Sequence, residues 1–149
     1  MKRLYLLLPL LFVFSATIAQ AQNKNNEAIV KDFISAWSRL NPSELASYFS
    51  EEGVYHNMPN EAVIGRSDIE QFIGGFIRPW ESTEWEVISL LADGDIVMVE
   101  RLDKTVVAGS PVNLPCFGYF ELTNGEITLW RDYFDLTTYT TALTAALAK

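Results

Sequence analysis

The chain has 149 residues, 49% hydrophobic and 20% charged, the size and make-up of one ordinary globular domain. Nineteen acids against eleven bases leave a net charge of −8, and a surface of that sign repels phosphate backbones, which argues against a nucleic-acid partner. A single histidine and a single cysteine exclude the usual zinc sites.

Residues 1–21 read as a signal peptide, followed by one domain over 22–149. Lys2 and Arg3 supply the basic start, Leu6 to Phe14 an apolar run broken by Pro9, and Ala19-Gln20-Ala21 a small-x-small cleavage site. The run is short for a membrane span; an uncleaved anchor is the alternative. Export to the periplasm or the medium is expected, with no membrane attachment after cleavage. Cys116, the only cysteine, leaves the mature domain without an internal disulfide.

Asn23 to Asn26 reads as a polar lead-in. Ala28, Ile29, Phe33, Ile34 and Trp37 then recur at helical spacing. Asn41-Pro42-Ser43-Glu44 opens a second helix with a capping box; Leu45, Tyr48 and Phe49 form its apolar side and Gly53 ends it. A short strand follows over Val54 to Met58. Ser67-Asp68-Ile69-Glu70 caps a third helix through Phe72, Ile73 and Phe76, closed by Pro79.

The second half reads as strands. They run Glu84 to Leu91, Asp95 to Val107, Val112 to Leu122 and Glu126 to Phe134. Asp93-Gly94, Gly109-Ser110-Pro111 and Asn124-Gly125 make the turns. Pro115 suggests an edge position or a bulge, and Leu136 to Leu147 a terminal helix. Helices first and a strand meander afterwards predict an α+β domain, a curved sheet wrapped over the helices with a pocket between them.

Alternation places Val97, Val99, Arg101, Asp103 and Thr105 on one strand face, and Ile96, Met98 and Leu102 on the other. Both faces begin apolar, so cover on both sides is expected. Arg101 and Asp103 continue an apolar row, where a charged pair is costly without partners. Trp130, Asp132 and Phe134 share a face, as do Tyr55 and Asn57. Converging faces would gather two carboxyls, a guanidinium, a phenol and an amide in one pocket. Plainer readings also fit the pattern: an exposed Arg101–Asp103 pair, Asp132 paired with Arg131, and Asn57 to Asn60 as a simple turn. His56 faces away from Tyr55 and Asn57, toward solvent or a second subunit. No phosphate loop and no Gly-x-Ser-x-Gly elbow is present, and Cys116 reads as a packing residue.

At these residues the chain resembles the limonene-1,2-epoxide hydrolase family, within the SnoaL-like, NTF2-like superfamily. The resemblance rests on Tyr55-His56-Asn57-Met58-Pro59, Gly65-Arg66, Glu100-Arg101-Leu102-Asp103, Phe117 to Leu122, Asn124 to Thr128 and Trp130 to Leu136, in order over roughly Glu27 to Leu136. It implies a curved mixed sheet with helices in its concave face, a homodimer, and no metal or cofactor. It also implies roles. Asp103 protonates the epoxide oxygen, Asp132 deprotonates water, Arg101 lies between them, and Tyr55 and Asn57 hold the water with Asp132. The implied partners are a small apolar epoxide and water, and the product a vicinal diol formed in one step. Pro111, Pro115, Cys116, Phe117 and Tyr119 are expected to shape the pocket, while Phe76 to Glu84, with Pro79 and Trp80, shows no resemblance. An isomerase or cyclase on the same fold, and a non-catalytic binder of small molecules, are the competing functions.

Overall fold

Tight turns join four long strands into a meander, and the sheet is completed by a strand from the helical half. The computed structural model describes residues 8–148, and side chains from Gln22 onward. In chain order the elements are α1 (Leu8–Ala36), a 3₁₀ turn (Trp37–Arg39), α2 (Pro42–Ser47), β1 (Phe49–Asn57), β2 (Val63–Ile64), α3 (Arg66–Phe76), β3 (Ser82–Asp93), β4 (Ile96–Val107), β5 (Ser110–Thr123), β6 (Glu126–Phe134) and α4 (Leu136–Leu147). The fold is α+β, with one curved six-stranded sheet in the order β2-β1-β6-β5-β4-β3. It is mixed, because β1 runs parallel to β6 while all other pairs are antiparallel.

The helices cover one face of this sheet. Val30, Phe33, Ile34 and Trp37 form the buried stripe of the first helical segment, at the i, i+3, i+4, i+7 spacing of one helix face. Ala28, expected on that stripe, is exposed. Trp130 on β6 lies under the stripe: Phe33 meets it edge-on at 5.1 Å, and Tyr55 and Phe120 stack on it at 4.2 and 5.5 Å. Offset and edge-to-face ring contacts of this kind add to the area that the rings bury.

Several boundaries differ from the sequence reading. Residues 23–26 are not a lead-in but part of α1, and the side chains of Asn23 and Asn26 hold the β3–β4 turn. The backbone N–H of Gly94 donates to Asn23 Oδ1 at 2.6 Å, and Asn26 Nδ2 donates to the Gly94 carbonyl at 2.9 Å. The second helix stops at Ser47; Phe49 and Gly53 belong to β1. There the β1–β6 register shifts between Phe49 and Val54, and a Cβ on Gly53 would lie 3.0 Å from the Ser50 carbonyl oxygen. Asn41 does cap α2, accepting from the Glu44 N–H. The third helix starts at Arg66 with Gly65 at the cap and no side-chain cap bond, and it ends at Phe76, before Pro79.

The turn after β4 is Ala108-Gly109, both at positive φ, so Ser110 and Pro111 already belong to β5. Asn124 and Gly125 have φ of 53° and 84°, as a two-residue hairpin turn with the sheet's own twist requires. β5 is interior to the sheet, yet its pairing with β6 begins only at Cys116↔Phe134. Pro115 therefore has β4 on one side and no paired strand on the other, which spares its missing N–H.

Cover on both faces is not what this chain provides. On β4 the residues Val97, Val99, Arg101, Asp103, Thr105 and Val107 are buried, while Met98, Glu100 and Lys104 on the other face are exposed. Leu91, Met98, Phe117 and Tyr133 share that outer face by register and are exposed too. Of the expected signal peptide, residues 1–7 lie outside the described residues and residues 8–21 are helical. Among the described residues no helix is long and apolar enough to cross a membrane.

Candidate active site

Five polar side chains singled out by alternation meet on the inner face at one end of the sheet. β4 carries Arg101 and Asp103, β6 carries Asp132, and β1 carries Tyr55 and Asn57. The parallel pairing sets Tyr55 beside Trp130 and Asn57 beside Asp132. All five are at least nine-tenths buried, Arg101 completely. Arg101 and Asp103 are thus not an exposed pair, and Asp132 does not turn to Arg131.

The guanidinium joins the two acids. Arg101 Nε donates to Asp103 Oδ1 at 2.8 Å and Nη2 to Oδ2 at 3.2 Å. Nη1 donates to Asp132 Oδ1 at 2.8 Å, and Nη2 donates also to Asp132 Oδ2. The Trp130 indole N–H donates to Asp132 Oδ1 at 3.1 Å. The guanidinium carbon lies 4.3 Å from the Trp85 ring centroid and 5.7 Å from that of Trp130. A delocalised cation suits such a place, since it loses less on leaving water than an ammonium and gains from the ring faces.

β5 separates Arg101 from Asp132, and one residue on it makes their contact possible. Gly118 pairs with Val99 on one side and Asp132 on the other. A Cβ there would stand 2.8 Å from Phe120 Cε2 and 2.9 Å from Arg101 Nη1. The glycine leaves the passage that the guanidinium crosses. A bulge in β3 sits at the same level. The register moves from Val87↔Arg101 to Ser89↔Glu100, turning Ile88 outward and bringing Leu90 and Ala92 to the inner face.

Electrostatics separate the groups. Burial raises the Asp103 carboxyl to a pKa of about 6; Arg101 pulls the other way, and Asp132 adds to the rise. Burial opposes the charge on Arg101, but Asp103 and Asp132 outweigh it and hold the guanidinium firmly protonated. Burial, then the charge of Asp132, pushes the Tyr55 hydroxyl well up, so it remains a neutral donor. Cys116, directly across from Arg101 on β5, lies beside Asp103, and burial keeps its thiol protonated. Its sequence signal was the inward alternate position on β5.

The acids open into a narrow hollow walled mainly by apolar side chains. Phe76, Trp80 and Tyr139 form the helical wall, and Val112, Leu114 and Cys116 part of the sheet wall. Of the residues expected to shape it, Cys116 does. Pro111, Pro115, Phe117 and Tyr119 alternate to the outer face instead, because the inner row of β5 is Ser110, Val112, Leu114, Cys116, Gly118 and Phe120. His56 faces away from the hollow, its Nε2 2.9 Å from the Asn60 carbonyl. Trp80, Trp85, Tyr139 and Gly118 went unassigned in the sequence; alternation could have found Gly118, as a gap in an inward row.

Residues 24–145 match the family described as the limonene-1,2-epoxide hydrolase catalytic domain. The chain belongs to that family. A stretch of 45 residues is 47% identical to epoxide hydrolase EphG of Mycobacterium tuberculosis (strain ATCC 25618 / H37Rv), spanning 30% of this chain and 30% of that protein. Among solved structures, an LEH-like epoxide hydrolase of M. tuberculosis has a TM-score of 0.72 at 25% identity, covering 85% of this chain and 94% of that one. A protein with a ketosteroid isomerase-like fold from Catenulispora acidiphila DSM 44928, in complex with trimethylamine, has a TM-score of 0.71 at 23% identity, over 78% of this chain and 92% of that one. At that identity the likeness speaks for the NTF2-like fold alone, which several chemistries share.

In this member of the limonene-1,2-epoxide hydrolase family, donor atoms of Asp103, Cys116 and Asp132 lie within 4.8 Å of one another, close enough to hold a cation. The guanidinium already bridges both carboxylates and would repel a metal ion placed there. The passage beside Gly118 yields a direct prediction. Gly118→Ala costs roughly 1–3 kcal/mol by overpacking and displaces Arg101 from Asp132. A urea denaturation curve and a crystal structure of the variant check this; unchanged stability with Arg101 still on Asp132 contradicts it.

Proposed function

We propose that this protein is an epoxide hydrolase that adds water to a small, mainly apolar epoxide in one step. Asp103 gives its proton to the epoxide oxygen as the carbon–oxygen bond breaks. Asp132 takes a proton from the water whose oxygen attacks the opposite side of that carbon. The product is a vicinal diol. The proton then returns from Asp132 to Asp103, by way of solvent or the groups between them, and no enzyme ester forms.

The observation that carries this reading is the single buried guanidinium hydrogen-bonded to both carboxyls at the floor of an apolar hollow. An acid and a base are needed together, and two coupled carboxyls sharing one proton supply both. A carboxyl titrating near 6 retains part of its proton at neutral pH, as a general acid must. The Tyr55 hydroxyl and Asn57 amide border the same space as Asp132. No hydrogen bond to another described residue ties up either group, so both are free to hold the attacking water. The family match agrees with epoxide hydrolysis; the isomerase and cyclase alternatives rest on the shared fold.

Two further parts belong to the proposal. The basic and apolar start of the chain directs export, so the enzyme works in the periplasm or outside the cell. The outer sheet face, with Leu91, Met98, Phe117 and Tyr133 exposed, docks against a second copy. Register sets Leu91 beside Met98, Met98 beside Tyr119, and Phe117 beside Tyr133 as one continuous patch.

Asp103→Asn and Asp132→Asn should each lower kcat/KM by about 10²-fold or more. In ¹⁸O-water the wild type should put label into the diol on its first turnover. kcat/KM should fall as pH rises through about 6, where Asp103 loses the proton it must donate. Diol formation that survives either substitution, or an unlabelled first diol, sinks the mechanism. Sedimentation should show a wild-type dimer and a Leu91→Lys/Met98→Glu monomer; a wild-type monomer at micromolar concentration overturns the docking face.

A further inference from the structure

The helical wall of the hollow carries two polar groups that the proposed hydrolysis does not use. Trp80 follows α3, in the stretch without family resemblance, and is 9% exposed. Its indole Nε1 is buried, and among the described residues it has no hydrogen-bond acceptor. Tyr139, on α4, lines the same wall. Burial raises the pKa of its hydroxyl, and the nearby Trp80 N–H, which does not reach hydrogen-bond geometry with it, offsets part of that rise. Phe76 lies against both rings, 5.1 Å from Trp80 and 5.8 Å from Tyr139, and fixes their spacing.

A buried indole N–H normally finds an acceptor, because taking it out of water unpaired is unfavourable. Trp37 also has an unpaired N–H. Its ring, however, stacks on Trp85 at 4.1 Å inside the core, and it does not line the hollow. Trp80 does, so a bound molecule can supply what the protein withholds. No lysine or arginine is among the residues lining the hollow, so a carboxylate or phosphate would meet no opposite charge there. The acceptor that fits is an uncharged oxygen.

We infer that Trp80 Nε1 and the Tyr139 hydroxyl form a hydrogen-bonding subsite for an uncharged oxygen on the substrate, so that the epoxide carries an ether, carbonyl or hydroxyl group on its apolar skeleton. This rests on the hydrolase reading and narrows its substrate class. The sheet wall performs the ring opening, and the helical wall recognises the second oxygen. A plain hydrocarbon epoxide fills the same space but leaves the indole unpaired.

A matched pair of substrates tests it: benzyl glycidyl ether and 5-phenyl-1,2-epoxypentane, which differ by one oxygen in place of a methylene. The reading is the ratio of their kcat/KM values in wild type, Trp80→Phe and Tyr139→Phe. The ratio cancels any loss that a changed ring imposes on both substrates alike. Trp80→Phe should lower the ether-to-hydrocarbon ratio by about fivefold to tenfold, the usual worth of one buried hydrogen bond, and Tyr139→Phe should lower it in the same direction. Equal ratios in all three proteins overturn the subsite while leaving hydrolysis intact. Calorimetric binding of the two corresponding diols decides the same point without turnover. If no epoxide is hydrolysed, the hydrolase reading falls. A wild-type preference for the ether diol that Trp80→Phe abolishes then still upholds the subsite, and equal affinity ratios overturn it.

Discussion

A guanidinium with no exposed surface, set among tryptophan rings, constrains everything around it. Moving one charge from water into such a place costs several kcal/mol even after the surroundings relax, and only close opposite charge and full hydrogen bonding repay it. Arg101 meets that demand with two carboxyls from different strands. Two carboxylates against one cation would leave a net negative charge in an apolar hollow, so a proton in the pair is favourable. The arrangement that makes the arginine tolerable is therefore the one that keeps an acid and a base side by side.

The sheet is organised to permit this contact. Arg101 and Asp132 are two strands apart, and β5 between them is reduced to a glycine at the crossing point. Trp130 serves twice, as the centre of the aromatic packing and as an N–H donor to Asp132. Its neighbours Phe33 and Phe120 keep the ring in place. A change in the core under Trp130 would thus be felt at the carboxylate, since interiors this tightly packed transmit displacement.

Much of this was legible in the sequence, because strands report their faces every second residue. Arg101, Asp103, Asp132, Tyr55 and Asn57 were placed by alternation and by the family blocks, and β6 and α4 have the expected bounds. What the pattern could not give depends on distant partners. Phe49 looks helical by spacing and Gly53 like a helix stop, but pairing with β6, more than seventy residues on, draws this segment into a strand. Asn23 and Asn26 look like a solvated lead-in until the β3–β4 turn supplies their hydrogen bonds. The apolar residues on the second face of β4 suggested cover from within the chain; the helices lie on one face only. Gly118, Trp80 and Tyr139 matter through what stands opposite them, which no local window contains.

The shared proton is the centre of the account, and Asp103 is where it can be observed. The direct measurement is a ¹³C NMR titration of the aspartate side-chain carboxyls in the wild-type protein, with the Asp103 signal assigned by its loss in Asp103→Asn. The account predicts a midpoint near 6, and a lower one in Asp132→Asn, where the neighbouring charge that helps to raise it is gone. A midpoint for Asp103 near 4, the value of an ordinary aspartate, would show a fully ionised pair with no proton to give, and would contradict the account.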